Sequence, residues 1–326
     1  MATTPLAVKN LALGIESTFG TSVTPTAYGE IDSCDIKLDK DVIVVDDTAG
    51  TRKGGRQVVY GAQKVSGSVK SNVYPAFVGY WLKGALGSCS SVLKSGETAV
   101  YEHTFSQANT LPSFTLVLDR GNSEYVKYTS VVVKSLKMNA KDKLVELSVA
   151  LDCYDESIGS SYTPSQATEN PFVFHNVNIG FGDSISAART AVSSSPTPVL
   201  SWDFEYDNQT QVSHASGSAK AYRIDPKLAK IKFSFSVFFD NTTHRDAYRN
   251  LTKKAAVIRM TGASIGNSSN YNLDIELPAI YYTAQTVDYK AGNLEEEKCE
   301  LVGIYDDIAT HACQMILTNL KANYTS

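Results

Sequence analysis

The feature that most constrains the fold is an alternation of apolar and polar residues with a period of two, which recurs along the whole chain. Residues 114–119 read FTLVLD, 143–152 read KLVELSVALD, 201–207 read SWDFEYD and 230–238 read KIKFSFSVF. Successive side chains of a strand point to opposite faces of its sheet, so each segment predicts a strand with one apolar and one polar face. We therefore predict a mainly β chain of antiparallel sheets that face water on one side.

Composition narrows the class of protein. The 326 residues are 43% hydrophobic and 20% charged, which is enough to bury a core and corresponds to about two domains. The net charge is −4, whereas proteins that grip nucleic acid along its backbone carry a basic surplus. We expect neither a signal peptide nor a membrane anchor, and the five widely spaced cysteines predict free thiols in a reducing compartment.

Two segments predict helices rather than strands. NVYPAFVGYWLKGALG places Pro75 in a first turn and ends at Gly87. DNTTHRDAYRNLTKK offers Asp240 as an N-cap and ends in Lys253 and Lys254, which suit the negative end of a helix dipole.

These helices occupy matching places in a repeated order of elements. Each follows a strand, at 64–70 and 230–239, and each is followed by two more strands, at 114–119 and 143–152 in one case and at 271–277 and about 297–305 in the other. A further strand precedes each set, at 33–41 and 201–209. The order predicts a tandem duplication, with a first domain at 1–156, a Gly/Ser/Thr/Pro-rich linker at 157–171 and a second domain at 172–326. One large sandwich without a repeat remains the alternative.

The residue types that carry catalysis show no supporting pattern. The five histidines are scattered, no GxSxG elbow occurs, and alternating carboxylates such as Asp203, Glu205 and Asp207 are typical of a solvated strand face. We therefore expect no enzyme activity, no cofactor and no metal site.

The string GTRKGG at 50–55 is neither of the two glycine-rich phosphate motifs, and a strand pattern rather than a helix follows it. Proteins that bind single-stranded nucleic acid combine basic residues with aromatic side chains on which the bases stack, and this string has a few basic residues but no aromatic ones. We interpret about residues 40–63 as a long arm that docks on a neighbouring copy, with a plain solvated hairpin as the alternative. The predicted contact residues are Asp46, Asp47, Arg52, Lys53 and Arg56.

The N-terminal string LALGIESTFGTSVTPTAYGEIDSCDIKLDKD carries a family resemblance. Gly14, Glu16, Gly20, Thr21 and Pro25 fit the pattern G-x-E-x-x-x-G-T-x-x-x-P with which tail tube proteins of long-tailed bacteriophages begin. The GTR of the arm, a following strand with SGS and a helix that ends in LG continue the likeness. The resemblance is close over about residues 1–155 and looser beyond.

The resemblance implies β-sandwich or barrel-like domains, each flanked by one helix, whose subunits form stacked rings around a DNA channel in the virion tail. The arm would contact the adjacent ring, and other tail proteins would be partners. Two domains per chain favour a trimeric pseudo-hexamer over a hexamer. DNA would pass through the channel without specific binding. We predict that its wall is lined by the acidic residues Asp203, Glu205, Asp207, Asp274 and Glu276. We expect assembly in the host cytoplasm. A capsid decoration or adhesion protein, and then a β-sandwich hydrolase, are the alternatives.

Overall fold

The computed structural model describes residues 10–46, 57–121, 124–165, 168–288, 292 and 294–324. The first half contains β1 (Asn10–Ile15), β2 (Ala27–Glu30), β3 (Ser33–Cys34), β4 (Lys37–Val45), β5 (Gln57–Asn72), α1 (Val78–Leu86), β6 (Gly87–Leu93), β7 (Tyr101–Gln107), β8 (Phe114–Asp119), β9 (Tyr125–Ala140), β10 (Glu146–Cys153) and β11 (Asp155–Ile158). The second half contains a 3₁₀ helix (Phe174–Asn176), β12 (Val177–Gly182), α2 (Ile185–Ser194), β13 (Val199–Asp207), β14 (Gln211–Ser213), β15 (Arg223–Asp225), β16 (Lys230–Phe238), α3 (Thr243–Arg249), β17 (Lys254–Ser264), β18 (Asn270–Asp288), β19 (Glu296–Gly303) and β20 (Gln314–Asn319). The mainly β prediction is confirmed.

The central layer is an open antiparallel sheet in the order β4, β5, β10, β9, β13, β16, β19, β18. The short strand β3 also pairs with β5, near Lys70. Its strands alternate buried apolar residues with polar ones, as the period-two pattern predicts. The sheet joins the two halves of the chain because β9 pairs with β13, with Trp202 opposite Ala140 and Asp207 opposite Ser135.

Two long strands cross from the central sheet into the flanking layers. The first part of β9 pairs with β8 and β11, and β8 continues through β1 to β2. The first part of β18 lies between β17 and β20, which continue to β12 on one side and to β7 and β6 on the other. Because β20 of the second half pairs with β7 of the first, the halves are joined at two places.

The core lies between these layers and is closed by α1, which packs on β9. Two glycines let α1 pack closely against its neighbours. A side chain at Gly79 would overlap Tyr324, and one at Gly84 would overlap Val133 and Phe114. The Tyr324 hydroxyl donates to the carbonyl oxygen of Ala76 at 2.7 Å, which fixes the C-terminal segment to the turn before α1.

The helices agree with the sequence in part. α1 ends at Gly87, whose φ of 96° explains the glycine, and the turn that contains Pro75 precedes it. α3 is preceded by Thr242, so the prediction of Asp240 as N-cap is wrong, and Lys254 already belongs to β17. α2 was not predicted: Ser184 caps it by accepting from the Ala187 amide, and its small buried residues Ala188 and Val192 fit against β17.

Candidate assembly surfaces

The signature glutamate is a buried acceptor that ties three strands together. Glu16 receives hydrogen bonds from the hydroxyls of Ser113 (2.8 Å), Thr115 (2.7 Å) and Ser130 (2.6 Å) and from the Ser130 amide (2.9 Å). The Ser130 hydroxyl also accepts from the amide of Gly20 at 2.6 Å, and Gly20 has a φ of 83°. Charge-assisted bonds of this kind stabilise a buried carboxylate, so these motif residues position β1 against β8 and β9.

The arm forms a two-stranded ribbon that extends beyond the central sheet. The strands pair from Lys37 opposite Ser66 to Val45 opposite Gln57, and their register shifts where Asp41 faces Gly61. We call residues 42–45 and 57–60 the arm ribbon. Six of its apolar side chains are 44–73% exposed, and they lie on both faces, with Val44 at 53%, Val58 at 59% and Tyr60 at 73%. A soluble protein rarely leaves such a surface uncovered.

The base of the arm is fixed to the second half of the chain. The Gln63 amide donates to the Ala219 carbonyl at 2.8 Å, and the Gln63 carbonyl lies 2.9 Å from Nε2 of His214. Lys220 forms an ion pair with Asp155 at 2.5 Å. These contacts bring the short β14–β15 hairpin to the base of the arm, so the arm ribbon projects from a fixed support.

The charged arm residues predicted from the sequence are only partly described. Asp46 directly follows β4 and is exposed. Asp47, Arg52, Lys53 and Arg56 lie outside the described residues. Besides these charges, the arm carries the apolar runs VIVV at 42–45 and VVY at 58–60, which were not predicted as contacts and which the structure places opposite each other. A continuous apolar run on a predicted arm is the signal that would have identified them.

Three of the nominated wall residues share the polar face of the central sheet. Asp203 forms an ion pair with Lys137 at 2.8 Å, and Glu205 lies 3.9 Å from Lys232. The hydrogen bond to Asp203 is the main reason that the pKa of Lys137 is raised. The third residue is Asp207, which accepts from the Gln209 amide at 2.8 Å. This face therefore presents paired charges of both signs.

Asp274 and Glu276 lie elsewhere and are buried, with 6% and 1% of their surfaces exposed. Each carboxylate forms a bidentate contact with an arginine, Asp274 with Arg259 at 2.6 and 2.8 Å and Glu276 with Arg189 at 2.6 Å twice. Arg189 belongs to α2, the helix that the sequence analysis missed. We therefore correct the wall assignment: Glu276 holds α2 on its sheet through Arg189, Asp274 is paired with Arg259 of β17, and neither acid is available to a channel.

The described residues contain no cluster of His, Cys, Asp or Glu arranged to hold a metal ion. Burial lowers the pKa of His244 to about 4 and raises that of Glu169 to about 7. Glu169 accepts a hydrogen bond from the amide of Ala76 at 2.6 Å at the start of the α1 region.

None of the helices in the described part of the chain has the length and apolar character that a bilayer-spanning helix requires.

A family model described as phage tail tube protein matches residues 7–295. The match extends well beyond the first 155 residues, where the sequence resemblance is closest, and includes most of the second half. No curated protein matches the chain.

Proposed function

Because the chain belongs to the phage tail tube protein family, we propose that it assembles with copies of itself into rings, which stack into a hollow tube for the delivery of phage DNA. Its role is structural. We propose assembly in the host cytoplasm, a final location in the virion tail, and other tail proteins as partners at the ends of the tube. We propose neither catalysis nor a cofactor.

The observation that carries this proposal is the arm ribbon. Apolar side chains on both of its faces are exposed at the end of a fixed hairpin: Val42, Ile43, Val44, Val58, Val59 and Tyr60. Burying this apolar surface against a second copy would stabilise a contact, and a hairpin that projects from its domain can reach a copy in the next ring. The charges at the arm tip, Asp46, Asp47, Arg52, Lys53 and Arg56, would then select the orientation of docking.

We propose three chains per ring. The pairings β4–β5–β10–β9 in the first half recur as β13–β16–β19–β18 in the second, and α1 and α3 follow matching strands. This correspondence supports a tandem duplication with domains at 1–156 and 172–326 and a linker at 157–171. Three such chains place six related domains around a closed ring, whereas a ring of six full chains would hold twelve.

We propose that the polar face of the central sheet lines the channel, with Asp203, Glu205 and Asp207 among its residues. The ion pairs of Asp203 with Lys137 and of Glu205 with Lys232 leave little net positive charge on the wall near these acids. A wall rich in unpaired lysine or arginine would bind phosphates and slow the passage of DNA. DNA would therefore move through the tube without specific binding.

Deleting residues 46–57 tests the role of the arm. We expect a folded chain that forms rings but no longer stacks, measured by circular dichroism and by negative-stain electron microscopy. A matched variant that replaces Arg52, Lys53 and Arg56 with Gln keeps the length of the arm and separates the loss of its basic charges from the loss of the segment itself; the deletion leaves the apolar residues 42–45 and 58–60 in place, so substitutions within the arm ribbon test the apolar surface. Tubes of normal length from the deletion variant would show that the arm does not join rings.

A further inference from the structure

The two halves of the central sheet share an irregularity that aligns them residue by residue. In β9, no residue of β10 lies directly opposite Lys134, because Val133 lies opposite Leu151 and Ser135 opposite Ala150. In β18, no residue of β19 lies directly opposite Thr283, because Tyr282 lies opposite Leu301 and Ala284 opposite Glu300. Bulges of this kind pin the register of a strand pair. Ala284 therefore corresponds to Ser135, and Thr286 corresponds to Lys137.

The same alignment extends to the outer strands. Glu205 of β13 lies opposite Lys232, and Lys37 of β4 lies opposite Ser66. Lys232 lies opposite Val302, and Ser66 lies opposite Asp152. The bulges place Val302 and Asp152 at equivalent positions. Lys37 therefore corresponds to Glu205.

The chain already contains one junction between its halves. There β13 pairs with β9, with Glu205 opposite Lys137, and the inward-facing Tyr206 and Leu136 are fully buried. The corresponding strands at the two ends of the sheet are β4 and the last part of β18. Among the described residues, the outer edges of Lys37–Lys40 and Ala284–Asp288 pair with no strand. Unpaired edges are templates for pairing with another chain.

We propose that β4 of one chain pairs antiparallel with the end of β18 of its neighbour in the ring, in the register of the internal junction. Lys37 then lies opposite Thr286, Leu38 opposite Gln285, and Asp39 opposite Ala284. Pairing would cover the half-buried Leu38, which occupies the position of Tyr206. It would begin at Lys37 because the Ile36 carbonyl already accepts from the Tyr128 hydroxyl at 3.1 Å. The inference rests on the proposed ring and specifies its interface.

The second internal contact, β20 with β7, cannot be repeated between chains in the same way. In the second half β17 begins at Lys254, five residues after α3 ends at Arg249, and no hairpin equivalent to β6–β7 intervenes. The junction between chains therefore depends strongly on the β4–β18 pairing. The internal junction depends less on its own β13–β9 pairing, because the β20–β7 contact supports it as well. Around the ring, junctions within a chain, which have both pairings, would therefore alternate with junctions between chains, which have only the β4–β18 pairing.

Cysteine cross-linking tests the register. The background replaces the two half-buried cysteines with Ser, as Cys34→Ser and Cys89→Ser, and leaves the three buried thiols. The test variant adds Lys37→Cys and Thr286→Cys, both at exposed positions. Residues directly opposite each other have Cα atoms about 4.5–5.5 Å apart, within the range that a disulfide spans. Assembled protein is oxidised with diamide and analysed on non-reducing gels.

The matched control adds Asp39→Cys and Asp288→Cys, which lie on the same face but four residues, or about 13 Å, out of register. We expect a ladder of covalent chains ending at the trimer for the test pair and no ladder for the control. Assembled rings that yield no ladder from the test pair, or equal ladders from both pairs, overturn the inference and leave the proposed function standing. If the double variant does not assemble, mixing chains that carry one cysteine each gives the same readout through disulfide-linked dimers. Wild-type protein that forms no rings at all refutes the proposed function itself.

Discussion

Weakening the arm ribbon without changing the fold gives a quantitative prediction. Val44 and Val58 lie opposite each other and are 53% and 59% exposed, so they contribute little to the stability of the isolated chain. Complete burial of a valine is worth about 1.5 kcal/mol or more, and burial of the exposed half about 0.8 kcal/mol. The double substitution Val44→Ser and Val58→Ser therefore costs each arm contact about 2 kcal/mol, once the hydroxyls that must leave water are included.

This loss corresponds to a roughly 30-fold weaker association at each contact. Three arms act at each junction between proposed trimeric rings, so the critical concentration for tube formation rises by at least that factor. Light scattering against protein concentration measures the threshold. Circular dichroism and the urea midpoint of unfolding are expected to match the wild type.

Val92 provides the control because it is an apolar residue of β6 with 55% exposure that lies outside the arm. Val92→Ser changes a comparable exposed surface and is expected to leave the assembly threshold within about twofold of the wild-type value. The account of the arm is wrong if the double variant polymerises at the wild-type concentration, or if Val92→Ser is as harmful.

Three further predictions concern the interior and the sheet face. Glu16→Ala leaves the buried Ser130 amide and Thr115 hydroxyl without their acceptor and is expected to lower the free energy of unfolding by about 2–5 kcal/mol in urea titration, while Glu16→Gln, which keeps one acceptor oxygen, costs less; equal stability of the three proteins would contradict the role of this carboxylate. Burial raises the pKa of Glu169 from 4.5 to about 7, so the folded state binds its proton more tightly than the unfolded state does. Stability is then expected to fall as pH rises from about 4.5 to about 7, and Glu169→Gln to flatten that slope in unfolding titrations; an unchanged slope would assign the pH dependence to other groups. Replacing Asp203, Glu205 and Asp207 with Lys is expected to permit assembly but slow DNA ejection from virions, measured by dye release, with exposed Glu124→Lys as the control; ejection at the normal rate would move the channel to another face.

The sequence predicted the strands well because the central sheet has one apolar face and one polar face. The alternating SWDFEYD at 201–207 lies in β13, and the pattern at 230–239 matches β16 within one residue. Period-two alternation reports this environment directly. It is weaker where a strand is buried on both sides, as in LALG of β1.

Other features depend on partners distant in the chain. α2 has only two fully buried residues, Ala188 and Val192, and its position depends on the contact of Arg189 with Glu276, 87 residues away. Asp274 and Glu276 alternate along β18 as solvated acids do. Only the structure shows that both are buried, in contact with Arg259 and Arg189 respectively. Local pattern cannot distinguish a wet carboxylate from one that is covered by a helix from elsewhere in the chain.

Electron microscopy of the purified protein shows whether it assembles into a tube. Because the arm ribbon and the two open edges of the central sheet are each expected to meet another copy, we predict hollow filaments built from rings. Each ring should have three chains and an approximate sixfold outline. A protein that stays a 35.3 kDa monomer at every concentration, with no filaments and no association with virions, would contradict the account.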